Sequence, residues 1–160
     1  MPRRWADRRR SAGPSTPVDN PSEAQQQYLG FIQATITRHN SNSFLIKGWT
    51  LTVVGALVAL AITQDNWAVG GSAAVATLGF WWLDSFYLRQ ERLFRELYNE
   101  ARAVPATVDL YDMNAEVYKT RTKTKWRLSI FTPTHVVFYG TFCCLSLALT
   151  GVLVLYSSSR

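Results

Sequence analysis

Histidine and cysteine are too scarce in this sequence to build a metal centre. There are two of each, His39, His135, Cys143 and Cys144, and no spacing among them resembles a ligand set. The cysteines are neighbours inside an apolar run, where the geometry for a mutual disulfide is poor, so they read as small buried packing residues. Glycine is not gathered into a phosphate-cradling loop, and no serine has the strand-to-helix context of a nucleophile elbow. No internal repeat is present. These absences leave no catalytic, metal-binding or cofactor-binding residue to nominate, and no cofactor is expected.

What the sequence does have is segregation. Mean hydropathy is near zero, an average over long apolar runs and a strongly charged remainder. Residues 1–21 hold Arg3, Arg4, Arg8, Arg9 and Arg10 before a Ser/Pro/Gly-rich stretch, a composition that predicts a disordered basic tail. It is not read as a signal peptide, because no apolar region follows the arginines directly. Over residues 22–40, Tyr28, Leu29, Ile32 and Ile36 recur at helical spacing, predicting an amphipathic helix capped by Ser22. The polar tract Asn40, Ser41, Asn42 and Ser43 is expected to interrupt it.

Residues 44–63 form a first candidate membrane span, since twenty residues of helix rise about 30 Å, the thickness of a hydrocarbon core. Gln64, Asp65 and Asn66 make a short turn into a second candidate, residues 67–88, so the two form an antiparallel hairpin. Its helix is expected to continue through residues 89–103, where no Pro or Gly intervenes and Glu91/Arg95 and Arg92/Glu96 stand four apart. Pro105 marks the expected stop. Residues 104–133 read as a basic loop whose conformation, strand or short helix, stays open. Residues 134–156 are the third candidate span, followed by a short tail, 157–160.

The distribution of positive charge orients this arrangement. Six of the seventeen basic residues precede the first span, nine lie between Arg89 and Arg127, and the first turn has none. Basic residues are retained on the cytoplasmic side, so the N-terminus and the second loop are expected inside, the C-terminus outside, in a bacterial inner membrane. Charge that sets topology is not independent support for phosphate-backbone binding, and no nucleic-acid partner is expected. Lys119, Arg121, Lys123, Lys125 and Arg127 lie just before the third span and are candidate contacts to anionic lipid headgroups.

One pair of charges falls inside the apolar runs. Lys47 lies three residues past the start of the first span and Asp84 four residues before the end of the second, each about 5 Å below the same boundary. An intramembrane ion pair is the sharp reading; separate stretching of each to headgroup water is the bland one. Trp49, Trp81 and Trp82 at similar depth read as an interfacial belt. A proton relay is not expected, for lack of polar groups in the outer half. His39 and His135 read as surface imidazoles at boundaries. Gly55 with Ala59, and Ser146 with Thr150, have the small-residue spacing that lets helices approach closely, which is compatible with a homo-oligomer.

Phe31-Ile32, the run Asn42-Ser43-Phe44-Leu45-Ile46-Lys47-Gly48-Trp49, Phe80-Trp81-Trp82-Leu83-Asp84 and Arg89-Gln90-Glu91-Arg92-Leu93-Phe94-Arg95 resemble a group of small bacterial multi-span membrane proteins of unassigned activity. A weaker echo follows at Asp112-Met113-Asn114 and from Phe131 to Tyr139. The resemblance runs from about Tyr28 to Tyr139 and implies architecture only: an N-terminal helix, a hairpin and a third span.

The expected fold is therefore an all-α membrane protein of three transmembrane helices with a cytoplasmic helical subdomain. In that subdomain Leu29, Ile32 and Ile36 pack against Leu93, Phe94 and Leu97, which gives each apolar stripe a partner. Three function classes follow. The first is a non-enzymatic module whose cytoplasmic helices bind a protein partner or mediate assembly. The second is an oligomerising, membrane-perturbing effector of the pore or toxin kind. The third is a lipid- or solute-active enzyme or carrier, which Lys47, Asp84 and His135 alone support weakly.

Overall fold

The structure, a computed structural model, describes residues 22–103 and 107–159. The expected disordered tail (1–21), Pro105 and Arg160 lie outside them. Every regular element among the described residues is helical.

Helix α1 spans Glu23–Thr63 and starts where Ser22 Oγ accepts the Gln25 amide hydrogen at 3.2 Å. Glu23 places a negative charge in the first turn, at the positive end of the helix dipole. The helix then runs unbroken for 41 residues, and the expected interruption at Asn40–Ser43 does not occur. The reason is visible in the inward positions. Tyr28, Ile32, Ser43, Ile46, Thr50, Val54 and Ala61 are buried, on a stripe that passes through the tract with Ser43 as one member. Asn and Ser cost a helix at most about 0.7 kcal/mol per residue, which continuous packing on a neighbouring helix outweighs.

At Asp65 the chain reverses with φ 48°, a left-handed conformation that Asp tolerates. Asn66 then caps the next helix by accepting the Ala68 amide hydrogen at 3.0 Å. That helix, α2, covers Trp67–Ala101 in 35 residues, a rod of about 52 Å at 1.5 Å per residue. It ends at Ala101, slightly earlier than expected. Beyond it come two short 3-10 turns, Ala115–Thr120 and Thr122–Thr124, then helix α3 (Trp126–Ile130) and helix α4 (Pro133–Ser158). The segment left open as strand or helix is thus made of tight turns and one short helix.

Helix α2 is central: α1 packs along it, α4 packs on it, and α1 and α4 hardly meet. Its inner face is built for close approach, with Gly70, Ala73, Ala74 and Thr77 buried. A Cβ at Gly70 would stand 2.8 Å from Thr150 Oγ1, so a larger residue there would push against the Thr150 side chain across the α2–α4 contact. Ser146 is buried on the same side of α4, whereas Gly55 and Ala59 face outward and serve no contact within the chain.

Helices α1 and α4 are each long and apolar enough to cross a membrane. Helix α2, expected to do so over residues 67–88, falls short of the same apolarity: Gly70, Gly71, Ser72, Thr77, Gly79 and Asp84 interrupt its apolar run. Cys144 is exposed and Cys143 half-buried, so the reading of both as buried packing residues is corrected: Cys144 faces outward, and Cys143 lies at the edge of the α4 face that carries the buried Tyr139 and Ser146.

At the far end of the α1–α2 hairpin a hydrophobic cluster forms from Tyr28, Ile32, Leu93, Leu97, Ala101 and Ala115. Leu29, Ile36 and Phe94 pack against it half-buried. Each fully covered leucine or isoleucine there contributes about 1.5–3 kcal/mol. Hydrogen bonds close the cluster's edge. The Tyr28 hydroxyl donates to the Asp112 carbonyl, and Gln25 Nε2 donates to the Ala101 carbonyl at 3.3 Å.

Candidate functional site

Asp84 is a carboxylate with no exposed surface, on α2, in an otherwise apolar stretch. Such a group is tolerated only if every lone pair is engaged. It is engaged from two other helices. From α1, Ser43 donates to Oδ1, and Lys47 Nζ lies 2.6 Å from Oδ2 while also donating to Ser43 Oγ at 2.9 Å. From α4, the Tyr139 hydroxyl donates to Oδ2 at 2.9 Å, and His135 Nε2 stands 3.2 Å from the same oxygen. One carboxylate thereby ties three helices together.

A second layer holds the α4 side in place. Ser85 Oγ is 3.4 Å from His135 Nδ1 and donates to the Trp81 carbonyl at 2.7 Å. The Trp81 indole stacks on Tyr139, with centroids 6.0 Å apart and planes 8° from parallel, and its Nε1 donates to the Ile130 carbonyl at 3.1 Å. Trp81 is therefore an inward packing residue rather than part of an outward aromatic belt, while Trp49 and Trp82 do stay exposed. His135 is likewise no surface imidazole: it is 3 % exposed, against Asp84. The sequence holds a signal for these residues. Ser43 and Lys47 stand four apart on α1, His135 and Tyr139 four apart on α4, so each pair shares a helix face.

Buried hydroxyls continue beyond the node, at Thr50 in the inner half and at Thr77 and Ser146 near the middle of the expected spans. Thr50 and Thr77 donate to their own helix carbonyls at Ile46 and Ala73, each at 2.8 Å, and Ser146 Oγ has no partner. Among the described residues no three His, Cys, Asp or Glu side chains converge as metal ligands. Chemically the node is a neutralised, fully hydrogen-bonded clamp.

The charged half is organised differently from expectation. Arg95 pairs with Glu91 at 2.6 Å, one helical turn apart. Arg92 does not pair with Glu96. It donates to Thr132 Oγ1 at 3.1 Å, and Glu96 is taken by Arg121. Arg121 bridges Glu96 at 2.9 Å and Glu100 at 2.5 Å and lies over the Tyr118 ring. Hydrogen bonds from Thr107 and Arg121 hold the Glu100 carboxyl below its usual range. Lys119 pairs with Glu116 at 2.6 Å. Two of the five proposed headgroup contacts, Lys119 and Arg121, are thus engaged within the chain; Lys123, Lys125 and Arg127 are exposed. Arg89 fastens the same segment, donating to the Thr124 carbonyl at 3.2 Å beneath the Trp126 ring.

His39 is half-buried, stacked on Phe94 at 5.6 Å and close to Tyr87. Burial, reinforced by Arg38, pushes its imidazole below the ordinary range, with Glu91 opposing. Burial raises the Tyr28 hydroxyl, next to Asp112.

Comparison with protein-family models, with curated proteins and with solved structures gave no match to this chain.

Proposed function

We propose that the chain is a three-span inner-membrane protein with its N-terminus and the 89–127 segment in the cytoplasm, belonging with the group of small bacterial multi-span proteins it resembles. Its cytoplasmic helical subdomain is a non-enzymatic module for binding a protein partner or for assembly. Support for the membrane comes from how little of the apolar surface is covered within the chain. Only 22 % of the most apolar window of α1 and 17 % of that of α4 is buried, whereas the core helix of a water-soluble protein would be mostly covered. Helix α2 crosses between them, its small and hydroxylated face covered by its neighbours. The Asp84 clamp fixes the register of the three helices where they leave the membrane.

The observation that carries the binding role is an apolar surface at the water-facing tip. Phe31, Leu110, Tyr111 and Met113 are exposed there, and Phe31 and Tyr111 are in ring contact at 6.4 Å. Tyr111 has φ 68°, a conformation rare for a bulky residue and retained where the surroundings enforce it. Its hydroxyl donates to Gln27 at 3.2 Å. Exposed aromatic surface presented by a strained loop is characteristic of a recognition surface.

The test is photo-crosslinking in cells from positions 31 and 111, with position 51 on the exposed side of α1 as control. The same adduct from 31 and 111, absent from 51, supports the module; no adduct from either would remove it. Topology is tested by single cysteines at Asn66, Thr107 and Ser158 on a background lacking Cys143 and Cys144. An impermeant reagent should label 66 and 158 but not 107.

Two observations favour other readings. The outward Gly55 and Ala59 give a second copy a surface for close approach, which suits an oligomerising effector; dye entry on overexpression distinguishes it. The buried Asp84 cluster suits a carrier or enzyme, but Asp84, Lys47, Tyr139 and Ser43 are already bonded to one another.

A further inference from the structure

Residues 78, 81, 82 and 85 of α2, and then 92, 95, 96 and 99, repeat with a fourteen-residue offset, about four helical turns, so they lie on one stripe of the helix. Both halves of that stripe line grooves. The first groove, about 310 Å³, is walled by Leu78, Trp81, Trp82, Ile130 and Phe131 and is almost wholly apolar. The second, about 550 Å³, is lined by Arg92, Arg95, Lys123, Leu128 and Phe131 among others. Phe131, 63 % exposed, belongs to both. The centres of the two sets on α2 are fourteen residues apart, about 21 Å along the axis. That is about half of a 40–45 Å bilayer with its headgroups, hence the length of one lipid leaflet.

The charge of the second groove points to an anion. Its carboxylate, Glu96, is bound to Arg121, and Arg95 is bound to Glu91. Arg92 meets the neutral Thr132 hydroxyl, and no carboxylate among the described residues is paired with Arg92 or Lys123. A cationic recess joined at Phe131 to an apolar one fits an amphiphile with a phosphate at one end.

We propose that this stripe binds one anionic glycerophospholipid of the inner leaflet, its phosphate between Arg92 and Lys123 and an acyl chain along Leu78, Trp82 and Phe131. The inference rests on the membrane reading above. It differs from a diffuse basic surface because it selects Arg92 and Lys123 and leaves out Lys125 and Arg127.

The experiment is a native mass-spectrometric titration of the full chain, purified in a neutral detergent, with phosphatidylglycerol, phosphatidylcholine or glycerol phosphate. One phosphatidylglycerol should be retained at least ten-fold more tightly than phosphatidylcholine, and glycerol phosphate should neither bind nor compete in that range. The double variant Arg92→Gln/Lys123→Gln should weaken phosphatidylglycerol by about thirty-fold, at about 1 kcal/mol per charge. Lys123→Gln alone, at an exposed position that leaves the Arg92–Thr132 bond intact, should weaken it about five-fold. Lys125→Gln/Arg127→Gln should change it less than two-fold. Equal retention of phosphatidylcholine, competition by glycerol phosphate, or equal loss in the 125/127 variant would each overturn the proposal. A chain that stays soluble and monodisperse without detergent would instead overturn the membrane reading on which it stands.

Discussion

Replacing Asp84 by Asn keeps the side-chain volume and removes the charge on which three helices converge. The Asn oxygen can still accept from Ser43, but its amide group turns a donor toward Lys47 and Tyr139, both of which donate to Asp84 Oδ2. Two hydrogen bonds to a charged group are lost, each about 1.5–3 kcal/mol. Lys47, whose side chain is 23 % exposed, recovers part of its solvation by moving outward. The expected cost of Asp84→Asn is therefore about 3–4 kcal/mol, at the lower end for breaking a buried pair. Lys47→Met should cost less, about 2 kcal/mol, because the carboxylate keeps Ser43, Tyr139 and His135. The double variant has neither charge and should cost about as much as Asp84→Asn alone, a coupling of about 2 kcal/mol. The assay is equilibrium unfolding by dodecyl sulfate in mixed micelles, followed by tryptophan fluorescence, to which Trp81 on Tyr139 contributes. Asp84→Asn within about 0.5 kcal/mol of the parent chain, or Lys47→Met costing more than Asp84→Asn, would refute the clamp.

Three further outcomes are expected. Leu97→Ala, at a position with no exposed surface in the Tyr28–Ile32 cluster, should destabilise the tip by about 2–5 kcal/mol; limited proteolysis should then cut near residues 103–114 faster, with membrane retention unchanged. Gly70→Ala should cost about 1–3 kcal/mol by overpacking, since only Thr150 Oγ1 lies within close range; Thr150→Ala in the same chain should restore most of it, and failure to rescue in the micelle unfolding assay would rule out this contact as the cause. His39, held below its usual range by burial, is protonated later in the folded chain than in the unfolded one. Its contribution is therefore complete above about pH 6.5 and declines as pH falls through the folded value. Amide-exchange protection around residues 32–43, corrected for intrinsic rates, should be lower at pH 5.5 than at pH 7.5, and His39→Phe should flatten that difference.

The sequence by itself determined what depends on near neighbours. Helical periodicity, the apolar lengths of α1 and α4, the caps at Ser22 and Asn66 and the tight reversal at Asp65 all follow from residues a few positions apart. The level of Lys47 against Asp84 follows from counting inward from the same boundary, three residues on the first span and four on the second, and the two charges stand 2.6 Å apart. Of the expected stripe, Ile32, Leu93 and Leu97 are fully covered while Leu29, Ile36 and Phe94 are half-buried at its edge, and Tyr28, not expected in the contact, takes a central place in it. What only the tertiary structure decided is which way each helix is turned about its axis and what arrives from far along the chain. His135 and Tyr139 meet Asp84 because α4 docks on α2 with that face inward, a rotation set by the approach at Gly70 and Thr150. Arg121 takes Glu96 away from Arg92 because the 3-10 turns fold back on α2. The Asn40–Ser43 tract stays helical because Ser43 has a carboxylate to bond across the hairpin. In each case a local preference worth tenths of a kcal/mol is outweighed by a buried contact worth one or more.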